Sequence, residues 1–240
     1  MKRIEIREHG AEDVLQLVDA GSVAEPGPGQ VTVEIHAAGV NPADTHVRAG
    51  NYEFLKPDLP FAPGYDGAGV VSATGTGVTH VQKGSRVWVS TIPARTLGTY
   101  AQTMVCDAGI VHPLPDHLSF EEGAALGVPY TTAYRALFQR GHGSPGEVVL
   151  VHGASGGVGI PAVQISPRSL MVAEADVRGT ALWNMTPAEF EEAYAALDSV
   201  LRSQTIRPVI GKQFPLAEAA EAHRFITTSR ALGKVVLRVR

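Results

Sequence analysis

The chain has 240 residues, of which 44% are hydrophobic and 18% charged, and its formal net charge is -4. This hydrophobic content allows a folded core and excludes a disordered chain, and the acidic balance without a basic cluster makes nucleic-acid binding unlikely. The 26 glycines and 16 prolines favour many turns between short strands over a helical bundle.

A single cysteine, Cys106, excludes an intrachain disulfide and a zinc site built on several thiolates. The N-terminus alternates charged residues with isoleucine where a signal peptide needs an apolar run. No segment approaches the ~20 apolar residues that span a bilayer. We therefore expect a cytoplasmic protein that does not enter a membrane.

The first half of the chain predicts short strands. Apolar residues alternate at Ile4 and Ile6, from Val31 to Ile35 and from Val87 to Val89. Turn-forming clusters separate these runs, at the spacing of a small barrel or sandwich. Cys106 falls at the end of a predicted strand and is interpreted as a structural residue, because a reactive thiolate needs a nearby base or helix N-terminus.

The period changes near Ser119. Helices are predicted over 121–126 and 132–138, the second with Thr131 or Thr132 as N-cap. An apolar strand over 147–152 then leads directly into a glycine-rich loop over 153–159 and an apolar helix.

The remainder alternates strand and helix patterns. A strand is predicted over 177–183, and a helix runs from Thr186 to about Gln204, with a capping-box spacing and Pro187 at its first position. A further helix over 216–226 contains His223, which we assign to packing, and a terminal strand covers 234–239.

The glycine loop has the chemistry of a pyrophosphate site. Only glycines let backbone N–H groups approach the phosphate oxygens closely, with a helix N-terminus behind them. Gly153, Gly156, Gly157 and Gly159 are spaced Gly-x-x-Gly-x-x-Gly, which differs from the commonest dinucleotide pattern. A glycine-rich turn without a ligand is the alternative.

Beginning at this loop, the sequence resembles a known family. Residues 146–164 are similar to the signature of the zinc-free quinone oxidoreductases, the zeta-crystallin branch of the medium-chain dehydrogenase/reductases. Four further blocks agree in family order: 38–45, 63–69, 84–87 and 127–137.

The resemblance implies an α/β protein with two domains. Residues 1–118, completed by 206–240, would form a β-rich GroES-like domain, and 119–205 a truncated Rossmann domain. The implied activity is metal-free reduction of a quinone or enone by NADPH. A homo-oligomer, specifically a dimer in which residues 177–182 pair across the interface, is also expected.

The family also implies roles for individual residues. Asn41 and Tyr52 would be catalytic, with Tyr52 at the substrate entrance. His46 replaces a tyrosine often found in relatives, which leaves the role of its side chain open. The implied cofactor-binding residues are Asn41, His46, Thr132, Gly153, Ala154, Ser155, Gly156, Gly157, Val158, Gly159, Thr180, Ala181 and Leu182.

A catalytic zinc is not expected. Tyr65 stands where zinc-dependent relatives have a histidine ligand, and the nine histidines include no HxxxH pair. Without a metal, a carbonyl must be polarised by hydrogen-bond donors or be electron-poor itself, as in a quinone. Asn41 is the best candidate donor, and an ordinary Asn-Pro turn is the alternative interpretation.

The nucleotide-binding part is short. A six-stranded Rossmann domain needs about 130 to 150 residues, whereas residues 147–204 number 58. The family signature stops after Ile165, and residues 166–171 resemble a segment that normally follows the fifth strand. The retained strands would be the first and the sixth, which are not neighbours in the family order.

This deletion removes the strand that normally carries the ribose-recognition residue. NADPH is thus the family default, with NADH not excluded. We expect weak or no turnover by a quinone reductase of this type. The alternative is a catalytically silent homologue that acts through binding or oligomerisation. RNA binding, a third class, is disfavoured by the charge balance.

Overall fold

The structure is a computed structural model that describes residues 1–144, 151, 153–165, 182–229 and 232–240. Nine strands are assigned within these residues: β1 Lys2–Glu5, β2 Gln16–Asp19, β3 Gln30–Val40, β4 Asp66–Thr74, β5 Arg86–Ser90, β6 Thr103–Asp107, β7 Val111–Pro113, β8 Ile210–Pro215 and β9 Lys234–Arg238.

Six α-helices lie in the described part of the chain: α1 Pro42–Ala49, α2 Phe120–Gly123, α3 Gly127–Tyr134, α4 Gly159–Ile165, α5 Pro187–Arg202 and α6 Ala219–Thr228. α3 continues as a π-helix over Arg135–Arg140. Short 3-10 helices cover Glu12–Val14, Ala108–Ile110, Leu182–Asn184 and Leu216–Glu218. None of these helices is long and apolar enough to cross a membrane.

One sheet joins the two ends of the chain. Its strand order is β7-β5-β4-β3-β9-β8, and β6 also pairs with β3. The long strand β3 lies antiparallel to β4, β6 and β9, whereas β8 and β9 are parallel. The last strand of the chain therefore sits beside β3, immediately before Asn41. The domain boundaries proposed from the sequence stay a prediction.

The core has two main parts. One lies around β3 and includes Ile4, Val33, Ile35 and Leu237. The other lies between the sheet and the helices α3 and α5, and includes Tyr65, Trp88, Leu126, Trp183 and Leu197. This second part carries the aromatic side chains discussed below.

The α/β fold class is confirmed, and so is the β-rich first half. The helix predicted from Thr186 is confirmed as α5, with Thr186 as its N-cap and Pro187 at its first turn. Cys106 lies in β6 and is buried, and burial raises the pKa of its thiol to about 12, which disfavours a thiolate.

Two local predictions are wrong. α3 begins at Gly127, so Thr131 and Thr132 lie inside the helix and neither is its N-cap. Leu182 and Trp183 belong to a 3-10 helix rather than to a strand. The predicted strand over 147–152, the segment 177–181 and the junction over 166–171 fall outside the described residues, with the exception of Val151.

Candidate active site

Asn41 lies where β3 ends and α1 begins. Its backbone is extended, and Pro42 follows at the first helical position, where a missing N–H costs nothing. The Asn41 backbone N–H donates to Asp44 Oδ2 at 2.8 Å, and the Asp44 N–H donates to the Asn41 carbonyl at 3.0 Å. The helix start thus fixes Asn41 and Asp44 together.

Four buried polar residues form what we call the polar centre: Asn41, Asp44, Asp66 and Lys234. The Asn41 side-chain amide donates to Asp66 Oδ2 at 2.9 Å, and its oxygen accepts from Lys234 Nζ. Lys234 Nζ also lies 3.2 Å from Asp66 Oδ2. These contacts fix the orientation of the Asn41 amide, with one amide hydrogen on Asp66 and the amide oxygen on Lys234.

Burial controls the charges of the polar centre. It raises the pKa of Asp44 to about 7, with a further increase from the nearby Asp66 carboxylate. Burial also lowers the pKa of Lys234, an effect that the carboxylates of Asp66 and Asp44 oppose. Lys234 and Asp66 therefore form a buried pair, while Asp44 titrates near neutral pH.

A chain of side chains extends from the polar centre to α6. Tyr100 Oη donates to Asp44 Oδ2 at 3.4 Å and lies 3.2 Å from His223 Nε2. Arg48 Nη1 lies 3.2 Å from His223 Nδ1. Burial, followed by the Arg48 charge, lowers the pKa of His223 to about 3. His223 is buried as predicted, but it also belongs to this polar chain.

Five rings next to the polar centre form what we call the aromatic cluster. They belong to His46, Tyr52, Phe54, Tyr65 and Trp183. Trp183 Nε1 donates to Tyr52 Oη at 2.6 Å. The Trp183 ring centroid lies 5.8 Å from that of Tyr65 and 6.3 Å from that of Phe54. His46 stacks on Tyr52 at 6.3 Å.

The aromatic cluster thus contains His46 and Tyr52, both predicted site residues. Tyr52 packs against the same part of the core as Leu182, which is buried directly before Trp183. Thr180 and Ala181 lie outside the described residues. Arg95 Nη2 donates to the Trp183 carbonyl at 3.2 Å and its guanidinium lies over the indole at 5.9 Å. Trp183 is therefore held from several sides.

The glycine loop has the tight backbone that the sequence suggests. Gly153 has a φ of +70°, and the Gly156 N–H donates to the Gly153 carbonyl at 2.9 Å. A Cβ on Gly159 would lie 2.1 Å from the Gly153 oxygen, so no side chain fits there. The loop residues Gly153, Ala154, Ser155 and Val158 are exposed.

The loop contacts the start of β9. The Gly233 N–H donates to the Ser155 carbonyl at 2.9 Å. A Cβ built on Gly157 would lie 4.0 Å from Lys234 Cδ. Gly233, which holds the loop through its bond to Ser155, directly precedes Lys234, whose ammonium donates to the Asn41 side chain. Thr132, a predicted cofactor-binding residue, lies within α3. Its hydroxyl donates to the Val128 carbonyl of the same helix at 2.6 Å.

Sequence reasoning missed Asp66, Trp183 and Lys234. A signal existed for Lys234, since a lysine that opens an otherwise apolar strand is unusual unless its charge is paired. No sequence signal pointed to Trp183, because only the folded chain brings its side chain to Tyr52. Among the described residues, no group of three His, Cys, Asp or Glu side chains is arranged to hold a metal ion.

Comparison with known proteins matches both parts of the chain. Residues 27–116 match the family model described as the alcohol dehydrogenase GroES-like domain, and residues 124–237 match the one described as zinc-binding dehydrogenase. A quinone oxidoreductase from Lama guanicoe is 32% identical over 324 aligned positions, which cover 99% of this chain and 97% of the relative.

Solved structures agree on the fold. A human synaptic vesicle membrane protein VAT-1 homolog-like protein has a TM-score of 0.88 at 23% identity, covering 100% of this chain and 98% of that chain. A quinone oxidoreductase from Escherichia coli, solved as a complex with NADPH, has a TM-score of 0.84 at 24% identity and covers 100% of both chains.

These matches define a medium-chain dehydrogenase/reductase fold. The chain belongs to the quinone oxidoreductase (zeta-crystallin) family, a family of oxidoreductase enzymes. The 324 aligned positions exceed the 240 residues of this chain by 84, so at least that many positions of the relative face no residue here. This confirms a large internal deletion, while its location after Ile165 stays a prediction.

Proposed function

We propose that the chain is an NADPH-dependent, metal-free reductase of a quinone or enone, and that the internal deletion weakens its turnover. The observation that carries this proposal is that the start of β9 contacts both predicted parts of the site. The Gly233 N–H donates to Ser155 of the glycine loop, and the adjacent Lys234 donates to Asn41. This supports a pyrophosphate site and a nicotinamide site that share one strand end.

The glycine loop fits a pyrophosphate. Its backbone is exposed at Gly153 to Ser155, and the space at Gly159 excludes any side chain. Residues 153–159 would hold the pyrophosphate, while Asn41, His46 and Leu182 would contact the nicotinamide end. NADPH bound here would supply a hydride, that is, two electrons and one proton equivalent.

The residues of this chain would then orient and shield the acceptor. Tyr52 and Phe54 present aromatic faces suited to a flat ring, and the buried walls of the aromatic cluster exclude water from the reacting atoms. The second amide hydrogen of Asn41 is a candidate donor to an acceptor carbonyl. A quinone fits this arrangement because it is electron-poor and needs no metal.

The deletion favours one alternative, a silent homologue that acts through binding or oligomerisation. The missing positions include, by family order, the strand that recognises the adenosine ribose. A dimer that pairs residues 177–181 across its interface would partly compensate; Leu182, also part of the predicted pairing segment, lies in a 3-10 helix instead. If that pairing exists, Thr180→Pro lowers the native mass measured by light scattering.

NADPH oxidation followed at its absorbance band, with menadione as acceptor, tests the proposed function. We expect measurable but slow oxidation, well below a typical enzyme turnover of about 10 per second. Gly157→Ala is the diagnostic variant, because its new methyl group meets only ordinary contacts in the protein, at 3.8 Å and beyond, yet it covers the loop backbone.

Gly157→Ala is expected to fold as stably as the wild type and to lose the oxidation. An equal rate in both proteins would show that the glycine loop has no part in the reaction, and a complete lack of oxidation in the wild type would support the silent homologue.

A further inference from the structure

Tyr65 carries a buried hydroxyl that is unpaired in the described part of the chain. The residue directly precedes β4, and its side chain is completely buried in the second part of the core. The hydroxyl oxygen is buried and has no hydrogen-bond partner among the residues that the structure describes. Leaving a buried hydroxyl unpaired destabilises a fold, so the group requires an explanation.

The surroundings of the Tyr65 side chain suggest a role for its hydroxyl. The Tyr65 ring packs edge-on against Trp183, and the charges that raise its pKa after burial are those of Asp44, Tyr52 and Asp66. The Tyr65 ring thus belongs to the aromatic cluster, and the negative charges of the polar centre act on its hydroxyl. Since its pKa is raised, it stays protonated at every physiological pH and can act only as a neutral donor or acceptor.

We propose that Tyr65 is a further catalytic residue, whose hydroxyl donates a hydrogen bond to the carbonyl oxygen of the acceptor. This inference rests on the proposed function. Asn41 has already committed one amide hydrogen and its oxygen to Asp66 and Lys234. Tyr65 has made no such commitment, and it occupies the sequence position at which zinc-dependent relatives place a metal ligand.

The proposed reduction of the acceptor is balanced in atoms and electrons and needs no metal. The acceptor takes up a hydride, its C=O bond becomes a C–O single bond, and negative charge develops on the oxygen. The Tyr65 hydroxyl stabilises that charge and keeps its own proton. A water proton completes the hydroquinone or, for an enone, the ketone, and the reduced nicotinamide is the species oxidised.

The acceptor must pass Trp183 to reach this hydroxyl. The indole is buried and packs edge-on against Tyr65, whereas Phe54, which stacks on the indole, is 48% exposed. A flat ring that enters along Phe54 would replace the indole against Tyr65. Trp183→Ala should therefore uncover the hydroxyl and strengthen acceptor binding.

Equilibrium dialysis without cofactor tests this proposal. Menadione is compared with methylnaphthalene, which has the same shape but no carbonyl. Tyr65→Phe in the Trp183→Ala background is expected to weaken menadione binding about fivefold to tenfold, the worth of one hydrogen bond, and to leave methylnaphthalene binding unchanged. Tyr65→Phe alone should also fold at least as stably as the wild type.

Tyr194→Phe is the matched control. Its hydroxyl is also buried and has no partner that meets hydrogen-bond geometry, but its ring packs on Trp88 and His112, away from the aromatic cluster. This variant should change the affinity for neither compound.

Three outcomes would overturn the proposal: equal menadione affinity with and without the Tyr65 hydroxyl, an equal loss for both compounds, and no menadione binding by any of the proteins. The dialysis assay contains no NADPH, so its result does not depend on cofactor binding. A failure to bind NADPH would count against the proposed function but would not affect this test.

Discussion

At the scale of single residues, the candidate site is a set of buried charges held by backbone caps. The resemblance identified Asn41, but the partners that orient its amide, Asp66 and Lys234, come from positions 25 and 193 residues further along the chain. Local patterns carry no information about such pairings. The sequence therefore predicted the candidate donor and missed the residues that position it.

The titration of Asp44 predicts a pH effect on stability. Its pKa rises from 3.8 to about 7 on folding, so between these values the folded protein holds a proton that the unfolded chain releases. Raising the pH through this window therefore lowers the free energy of unfolding. Asp44→Asn has no proton to release and does not lose stability in this way. The difference in unfolding free energy between the variant and the wild type should therefore shift in favour of the variant from pH 4 to 7 and stay constant above pH 7.

Urea unfolding at several pH values measures this difference. His223→Gln is a control with the opposite pH dependence. The pKa of His223 falls from 6.5 to about 3 on folding, so the wild type gains stability as the pH rises between these values, and the variant lacks this gain. A difference between Asp44→Asn and the wild type that does not change with pH would contradict the assignment.

The buried Lys234–Asp66 pair predicts a strong coupling. Lys234→Met leaves a buried carboxylate without its cation, which typically costs about 3 to 5 kcal/mol. Asp66→Asn added to Lys234→Met removes that charge, and the amide oxygen can still accept the Val128 N–H, which now donates to Asp66 Oδ1 at 2.9 Å. The double variant should recover most of the lost stability.

A denaturant-based double-mutant cycle with both single variants gives the coupling energy. A cost below about 1 kcal/mol for Lys234→Met, the value typical of exposed pairs, would show that the pair is not buried as described.

At the scale of elements, the sequence was most informative where a helix start has its own chemical signature. Thr186, Pro187 and Glu189 predicted the beginning of α5, and the structure confirms their reciprocal bonds. At α3 the same reasoning failed. Gly127 and Leu126 at its start carry no capping side chain, so the nearest threonines were wrongly chosen.

The Thr186 cap can be tested by truncation. Thr186→Ala removes the oxygen that accepts the Glu189 N–H at 3.3 Å, and we expect a loss of about 1 kcal/mol in unfolding free energy. Ser199→Ala, in the exposed part of the same helix, should stay within about 0.5 kcal/mol of the wild type. Equal effects of the two substitutions would show that the cap contributes nothing.

At the scale of the whole molecule, the fold closes through the C-terminal strand. β9 pairs with β3, supplies Lys234 to the polar centre and contacts the glycine loop. The fold class followed from the family blocks, and the resemblance also implied that residues 206–240 complete the first domain. The register of β9 on β3 could not be predicted, because it depends on pairing between segments that lie far apart in the chain. Within the alignment with the Lama guanicoe relative, at least 84 positions of that relative face no residue of this chain.

Calorimetric titration of NADPH, with NADH in parallel, shows whether the chain has the cofactor site on which every step of the proposed reaction depends. We expect saturable binding of NADPH by the wild type, in the micromolar range or weaker, and its loss in Gly157→Ala. No detectable heat with either nucleotide, from a protein that unfolds cooperatively, would contradict the proposed function.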